Sequence, residues 1–175
     1  MRLALTLAFG LGMIAGLPSA FAQHREAGAH EHGRGTLNIA VEGKRVSMEL
    51  EVPGADIVGF EHAAKTSQQK AAVEKAKAQL LAPQALFRLP AAAGCAVSAA
   101  NVEVEGGDGK GEHSEFHAQY TFDCQAPASL TSIEFDYFRT FTRAKRLDVG
   151  VVTSKGQNKF SVGPTKPRID LGGMM

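Results

Sequence analysis

Two neighbouring stretches near the start of the chain alternate apolar and polar residues with a period of two. This period is typical of a strand that buries one face. The two stretches flank Glu42-Gly43-Lys44, a short polar segment with turn chemistry, so they predict a β-hairpin that ends at Pro53-Gly54. The apolar positions are Leu37, Ile39 and Val41 before the turn, and Val46, Met48, Leu50 and Val52 after it.

The sequence predicts one convincing helix, over residues 66–80. Thr66 is a good N-cap, and Gln69 three positions later completes a capping box. The body is rich in Ala, Lys, Glu and Gln, which are strong helix formers, and Pro83 ends the helix soon afterwards. Its apolar stripe is narrow, which predicts that most of its surface is solvated; the stripe consists of Val73, Ala76 and Leu80.

β-Type patterning returns after the helix. Residues 95–105 and 115–124 flank a Gly-rich loop, and if they pair about the middle of that loop, Cys95 falls opposite Cys124. Facing positions on adjacent strands are close enough for a disulfide. The spacing does not fit a C-x-x-C redox motif. A bridge here closes a loop of about 30 residues and should stabilise the fold by roughly 3–4 kcal/mol on the loop-entropy model.

Further strands are expected at 130–138, 145–153 and 157–162. Several hairpins and one principal α-helix predict an α+β fold with a mainly antiparallel β-sheet. We assign residues 36–171 to this single domain and residues 23–35 to a flexible, His-containing N-terminal arm.

The first 22 residues have the layout of a cleavable signal peptide. A positive start at Met1-Arg2 precedes an uncharged apolar run, and Ala20-Phe21-Ala22 offers small residues for cleavage after Ala22. The rival interpretation, a membrane anchor, needs about 20 apolar residues, and this run is shorter. The sequence therefore predicts a secreted precursor whose mature chain works in the periplasm, with no membrane span in the mature chain.

Charge and motifs exclude several classes of function. Lys and Arg number 19 against 18 Asp and Glu, so the chain has no electrostatic reason to bind nucleic acid or an anionic membrane. The sequence has no G-x-S-x-G, H-E-x-x-H or P-loop motif. Alternating acids such as Glu103 and Glu105 are typical of the solvent face of a strand. We therefore expect a protein that is not an enzyme.

The candidate chemistry is carried by histidines. His30 and His32 point to the same side of an extended segment, and His113 and His117 repeat this arrangement around Glu115. The strand that follows His113 has its apolar residues at alternate positions, which sends His113, Glu115 and His117 to the wetter face. His62 follows Glu61 just before the helix, and Asp56 precedes both. Imidazole and carboxylate together suit Zn²⁺, although Cu²⁺ and Ni²⁺ also bind imidazole well and solvated histidines are a simpler explanation.

Three stretches of the chain are distinctive: AHEHG followed by GTLNIAV at 29–41, EVPGADIVGFEH at 51–62 and GEHSEFHA at 111–118. Together they resemble the ZrgA-like family of periplasmic proteins associated with zinc uptake. The resemblance extends over about 29–171 and implies a zinc-binding protein that acts beside a zinc importer. Carried over by position, it implies zinc ligands at His30, His32, His62, His113 and His117. Members often carry a long His-rich insert where this chain has only the short loop 106–112, which argues against bulk zinc storage.

Two other functions stay open at this stage. A β-rich periplasmic interaction module, for which metal is incidental, fits the same fold. A zinc hydrolase with Glu115 or Glu61 as base would need an open metal position and a pocket, so we disfavour it.

Overall fold

The computed structural model describes residues 31–107 and 113–175. The predicted signal peptide, most of the predicted arm and His30 lie outside the described residues. The strands are β1 (Arg34–Glu42), β2 (Arg45–Pro53), β3 (Phe87–Arg88), β4 (Cys95–Glu105), β5 (Glu115–Cys124), β6 (Ser132–Phe135), β7 (Arg146–Thr153), β8 (Gly156–Val162) and β9 (Arg168–Asp170). The helices are α1 (Gly54–Ile57), α2 (Ser67–Leu80), α3 (Pro83–Leu86) and α4 (Tyr137–Thr140), with 3₁₀ turns at Ala91–Ala93 and Pro127–Ser129.

The main sheet has six strands in the order β4-β5-β2-β1-β7-β8. The predicted hairpin is β1–β2, with Leu37 opposite Leu50 and Ile39 opposite Met48. Adjacent strands of this sheet run antiparallel except β1 and β7, which are parallel. A mostly β fold with mainly antiparallel sheets agrees with the predicted fold class, and the parallel pair is an addition to it.

The Cys hairpin has the predicted register. Cys95 pairs with Cys124 across β4 and β5, and the two form a disulfide. Phe116, Ala118 and Tyr120 on β5 are buried, so the intervening residues of this strand face the other way, as their alternation predicts.

A second, three-stranded sheet in the order β3-β6-β9 covers the buried face of the first. Phe87 on β3 joins the two layers, because its ring lies 5.9 Å from Tyr120 of the main sheet and 5.8 Å from Phe135 on β6. The pattern of the sequence does not predict this small sheet. Two of its strands are only 2 and 3 residues long, too short to show a clear period.

The prediction of a strand over 130–138 is wrong in its second half. The strand ends at Phe135, and Tyr137–Thr140 forms a helical turn. Tyr137, Phe138 and Phe141 are all buried. A strand would point Tyr137 and Phe138 to opposite faces, whereas the helical turn lets all three aromatic rings enter one core, with Tyr137 5.3 and 5.2 Å from the other two.

Helix α2 is the longest helix of the described chain. Thr66 accepts a hydrogen bond from the Gln69 backbone N–H, and the Gln69 side chain completes the predicted capping box. The helix buries Ala76 and Leu80, with Val73 partly buried against the core. Over the described residues, the helices are too short or too polar to cross a membrane.

Candidate metal centre

Three side chains from separate segments meet at one end of the main sheet, where β1 and β5 begin. They are His32, which precedes β1; Glu61, in the connection between α1 and α2; and His113, which precedes β5. One ligand atom from each lies within 4.8 Å of the other two. The Glu61 Oε2 atom contacts both histidines: it lies 2.9 Å from His32 Nε2 and is also hydrogen-bonded to His113 Nδ1.

Backbone hydrogen bonds hold the Glu61 and His113 segments together. The Ser114 N–H donates to the Glu61 carbonyl over 2.9 Å, and the Gly54 N–H donates to the Ser114 carbonyl over 2.7 Å. Gly54 has no room for a side chain, since a Cβ there would lie 2.8 Å from the Phe60 carbonyl oxygen. The close approach of these segments therefore requires glycine at this position.

The His32 segment is held from both sides through Gly33. The Gly33 N–H donates to Asp56 Oδ1 over 2.8 Å, and its carbonyl accepts from the N–H groups of Lys145 and Arg146, each over 2.8 Å. Gly33 has a φ of 88°, a conformation that residues with a Cβ rarely adopt. These contacts place the imidazole of His32 against Glu61 at the start of β1.

The cluster combines a buried carboxylate with two exposed imidazoles. The side chain of Glu61 is only 10% exposed, whereas those of His32 and His113 are 65% and 60% exposed. Burial acts to raise the pKa of Glu61, but the hydrogen bonds from His32 and His113 outweigh it, and the net shift of that pKa is downward. Its carboxylate is therefore ionised at neutral pH.

The charge of Glu61 also changes its neighbours. The hydrogen bond from His32 to Glu61, with their Coulombic attraction, raises the pKa of His32 above its usual value. Burial raises the pKa of Asp56 despite its hydrogen bond from Gly33. Asp56 is nearly fully buried, and its second oxygen has no hydrogen-bond partner among the described residues.

The remaining predicted ligands lie elsewhere. His62 is exposed; its Nδ1 lies 2.9 Å from the Ala63 carbonyl oxygen, and its ring stacks on Phe60. His117 lies on β5 beside carboxylates, with its Nε2 3.4 Å from Glu115 Oε2. The structure thus brings together His32 and His113 of the predicted set, and places His117 with Glu115 in a separate group.

The ligands predicted from the sequence do not include Glu61, although Glu61 connects the two histidines here. The available signal was its place beside His62 in the Glu-His pair. Adjacent residues point in different directions, so the sequence alone did not show which of the two would face the other histidines. Asp56 was noted only for its position in the chain.

Two imidazole nitrogens and a carboxylate oxygen form a donor set that suits Zn²⁺. The two histidines share one oxygen of Glu61, while its Oε1 is buried without a hydrogen-bond partner in the described part of the chain. A cation bound among the three residues would satisfy the carboxylate and replace the protons that now join it to the imidazoles. Three protein ligands leave one tetrahedral position for water or an incoming group, so the residues fit an exchangeable zinc ion.

A protein-family model matches most of the chain. The model of a family described as "ZrgA family zinc uptake protein" matches residues 29–171, a range that includes all three residues of the cluster. No curated protein matches the chain.

Proposed function

Since the chain belongs to the ZrgA family of zinc uptake proteins, we propose that it is a periplasmic accessory protein that captures Zn²⁺ at His32, Glu61 and His113 and assists its uptake. The observation that supports the proposal most directly is the meeting of these three side chains, with all ligand atoms within 4.8 Å. They come from three separate segments, so only the folded chain presents this donor set.

The exposure of the ligands supports capture and release rather than a structural role. Both imidazoles open to solvent, so an ion can enter and leave without unfolding of the core. The buried carboxylate of Glu61 supplies the fixed negative charge, and the two imidazoles supply the nitrogen ligands that favour zinc over Mg²⁺ and Ca²⁺. Such a site suits a protein that passes its cation to a component of a zinc importer.

The compartment is supported by two features of the chain. The predicted signal peptide directs the precursor out of the cytoplasm, and the Cys95–Cys124 disulfide is typical of an oxidising compartment such as the periplasm.

The test is an equilibrium titration of the mature chain with zinc against a chromophoric chelator. We expect His32→Ala and His113→Ala each to weaken zinc binding by tenfold or more, since even loss of an outer-sphere partner typically costs about 10–100-fold. His62→Ala is the matched control, because His62 is an exposed imidazole outside the cluster, and it should bind as the wild type does. Equal affinity in the His113→Ala and His62→Ala variants would contradict the proposal.

A cellular experiment tests the uptake role. A strain without this protein should grow poorly when zinc is limited by a chelator, and the wild-type gene should restore growth. The gene carrying His32→Ala and His113→Ala should not restore it at equal periplasmic abundance. Full restoration by that gene would show that the cluster does not serve uptake.

A further inference from the structure

We infer that the open face of the main sheet carries a second divalent-cation site, centred on His117 and separate from the first cluster. His117 lies on the face opposite the core, near the start of β5, which has a neighbouring strand on each side. Its direct cross-strand partners are Glu51 on β2 and Glu103 on β4. Glu105 and Glu115 form the next cross-strand pair.

The imidazole of His117 is enclosed by carboxylates from three strands. Its Nε2 lies 3.4 Å from Glu115 Oε2 and 3.7 Å from Glu105 Oε2, and its Nδ1 lies 3.9 Å from Glu51 Oε1. The side chain is only 19% exposed. Nε2 itself is buried and makes no hydrogen bond within the described residues.

These separations fit two ligands of one ion better than a hydrogen bond. A hydrogen bond from imidazole to carboxylate has its heavy atoms about 2.7–2.9 Å apart, as between His32 and Glu61. Two ligands held 2.0–2.2 Å from a tetrahedral zinc ion lie about 3.3–3.6 Å apart. The Nε2 atom and the Glu115 oxygen already have that spacing, and the Glu105 oxygen is close to it.

The charges around His117 favour a cation. Like charges directly opposite each other on adjacent strands are destabilising, and Glu105 faces Glu115 while Glu51 approaches from the other side. Within residues 31–107 and 113–175, the ion pairs formed by Glu51 and Glu105 are those with His117. One protonated imidazole does not balance the two carboxylates of Glu51 and Glu105, whereas a divalent cation on Nε2 would bring these groups closer to neutrality.

Binding requires one side chain to move. Among the described residues, only the first cluster has all its ligand atoms within 4.8 Å of one another, so Glu105 has to change rotamer to complete the second site. Its side chain is 65% exposed, which leaves it room to do so. One nitrogen and two or three carboxylate oxygens form a harder donor set than the first cluster, suited to Zn²⁺ or Mn²⁺.

The two sites are neighbours on the same segment. His113 and His117 are four residues apart, but His117 does not belong to the group whose ligand atoms lie within 4.8 Å of one another. The two groups share no residue, so we expect the chain to bind two ions. The second site extends the proposed function but does not depend on the first.

The experiment is calorimetric titration of the mature chain with zinc alone, in metal-free buffer, for the wild type and for His113→Ala, His117→Ala and the double variant. We expect His117→Ala to lose one zinc equivalent, His113→Ala to lose a different one, and the double variant to lose both. His62→Ala is the control and should keep the wild-type number. Should only His117→Ala lose an equivalent, the second site stands and the proposed function at the first cluster fails.

An unchanged number of bound ions in His117→Ala would overturn the inference, as would loss of all binding in His113→Ala. If His117→Ala does not fold, Glu105→Gln replaces it, because that exposed side chain can change without disturbing the core. Glu105→Gln should weaken the same equivalent and no other. Nitrogen-15 spectra of the imidazole rings provide a second measurement: saturation with zinc should shift the His117 signals, and unshifted signals would also reject the site.

Discussion

Asp56→Ala should weaken both the fold and the metal centre, through one buried hydrogen bond. The Asp56 carboxylate accepts the Gly33 N–H over 2.8 Å, and hydrogen bonds to charged groups contribute about 1.5–3 kcal/mol. Asp56 also costs some stability, because burial raises the pKa of its carboxyl group and so disfavours the charged form. We therefore expect a net loss of about 2 kcal/mol in the free energy of unfolding for Asp56→Ala.

The expected effect of Asp56→Ala on zinc affinity follows from the hydrogen bonds that Gly33 keeps. Without Asp56, the Gly33 carbonyl still accepts hydrogen bonds from the N–H groups of Lys145 and Arg146. The substitution therefore increases the mobility mainly of His32, the residue just before Gly33. Ordering the backbone of one residue costs about 1–2 kcal/mol, and this cost would now be paid when zinc binds. The affinity for zinc should therefore fall by roughly 5–30-fold, although Asp56 is not itself a ligand.

Asp56→Asn is the matched control. The amide oxygen can still accept the Gly33 N–H, and the change removes the buried charge, so we expect a stability loss under about 1 kcal/mol and near wild-type zinc affinity. The assays are urea unfolding in the presence of a chelator, and zinc titration against a chromophoric chelator. If Asp56→Ala kept full zinc affinity, or if Asp56→Asn lost as much affinity as Asp56→Ala, the argument that this hydrogen bond positions His32 would be refuted.

Two other predictions concern pH and the disulfide. Zinc binds neutral imidazole, and Glu61 raises the pKa of His32 above its usual 6.5. Zinc affinity should therefore start to fall at a pH above 6.5 as the pH is lowered from 8 to 5.5, and competition with a chelator measures this. Constant affinity down to pH 6 would contradict this prediction. Replacing Cys95 and Cys124 by Ala should lower the free energy of unfolding by roughly 3–4 kcal/mol and leave zinc affinity unchanged in the folded chain, because the metal centre lies at the opposite end of β5; urea unfolding and titration together check both parts.

Short-range patterns predicted those elements whose partners are adjacent in sequence. The β1–β2 hairpin, the capping box at Thr66 and Gln69, and the pairing of Cys95 with Cys124 all depend on alternation, on a three-residue spacing or on symmetry about a loop. Each of these is visible in a single stretch of sequence. The structure agrees with all three.

Pairings between distant segments could not be predicted in the same way. The parallel pairing of β1 with β7 joins Leu37 to Val149, and no local pattern specifies which distant strand will lie beside β1. The helical turn at Tyr137 was missed for a related reason, since a run of aromatic residues fits a buried strand and a buried turn equally well. The surrounding core decides between them.

In the candidate site too, local features could be predicted from the sequence and contacts between distant segments could not. Alternation on β5 placed His113, Glu115 and His117 on the wetter face, and their exposure or partial exposure in the structure agrees. Which of them would share a cation depended on where the Glu61 segment crosses the end of that strand. The Ser114–Glu61 and Gly54–Ser114 backbone hydrogen bonds fix that crossing, and they have no signature in the sequence.

A site that binds zinc for delivery should leave the fold intact when it is empty. The location of the core indicates that this holds for the site at His32, Glu61 and His113. The buried apolar residues form one core between the two sheets, while His32 and His113 are exposed before the first residues of β1 and β5. We therefore expect the chelator-treated protein to keep its circular dichroism spectrum and to unfold cooperatively. Zinc at 100 times its dissociation constant should add only about 2.7 kcal/mol, by mass action. Unfolding on removal of zinc, as in domains that a metal holds together, would instead make the cation structural and would be incompatible with its delivery to an importer.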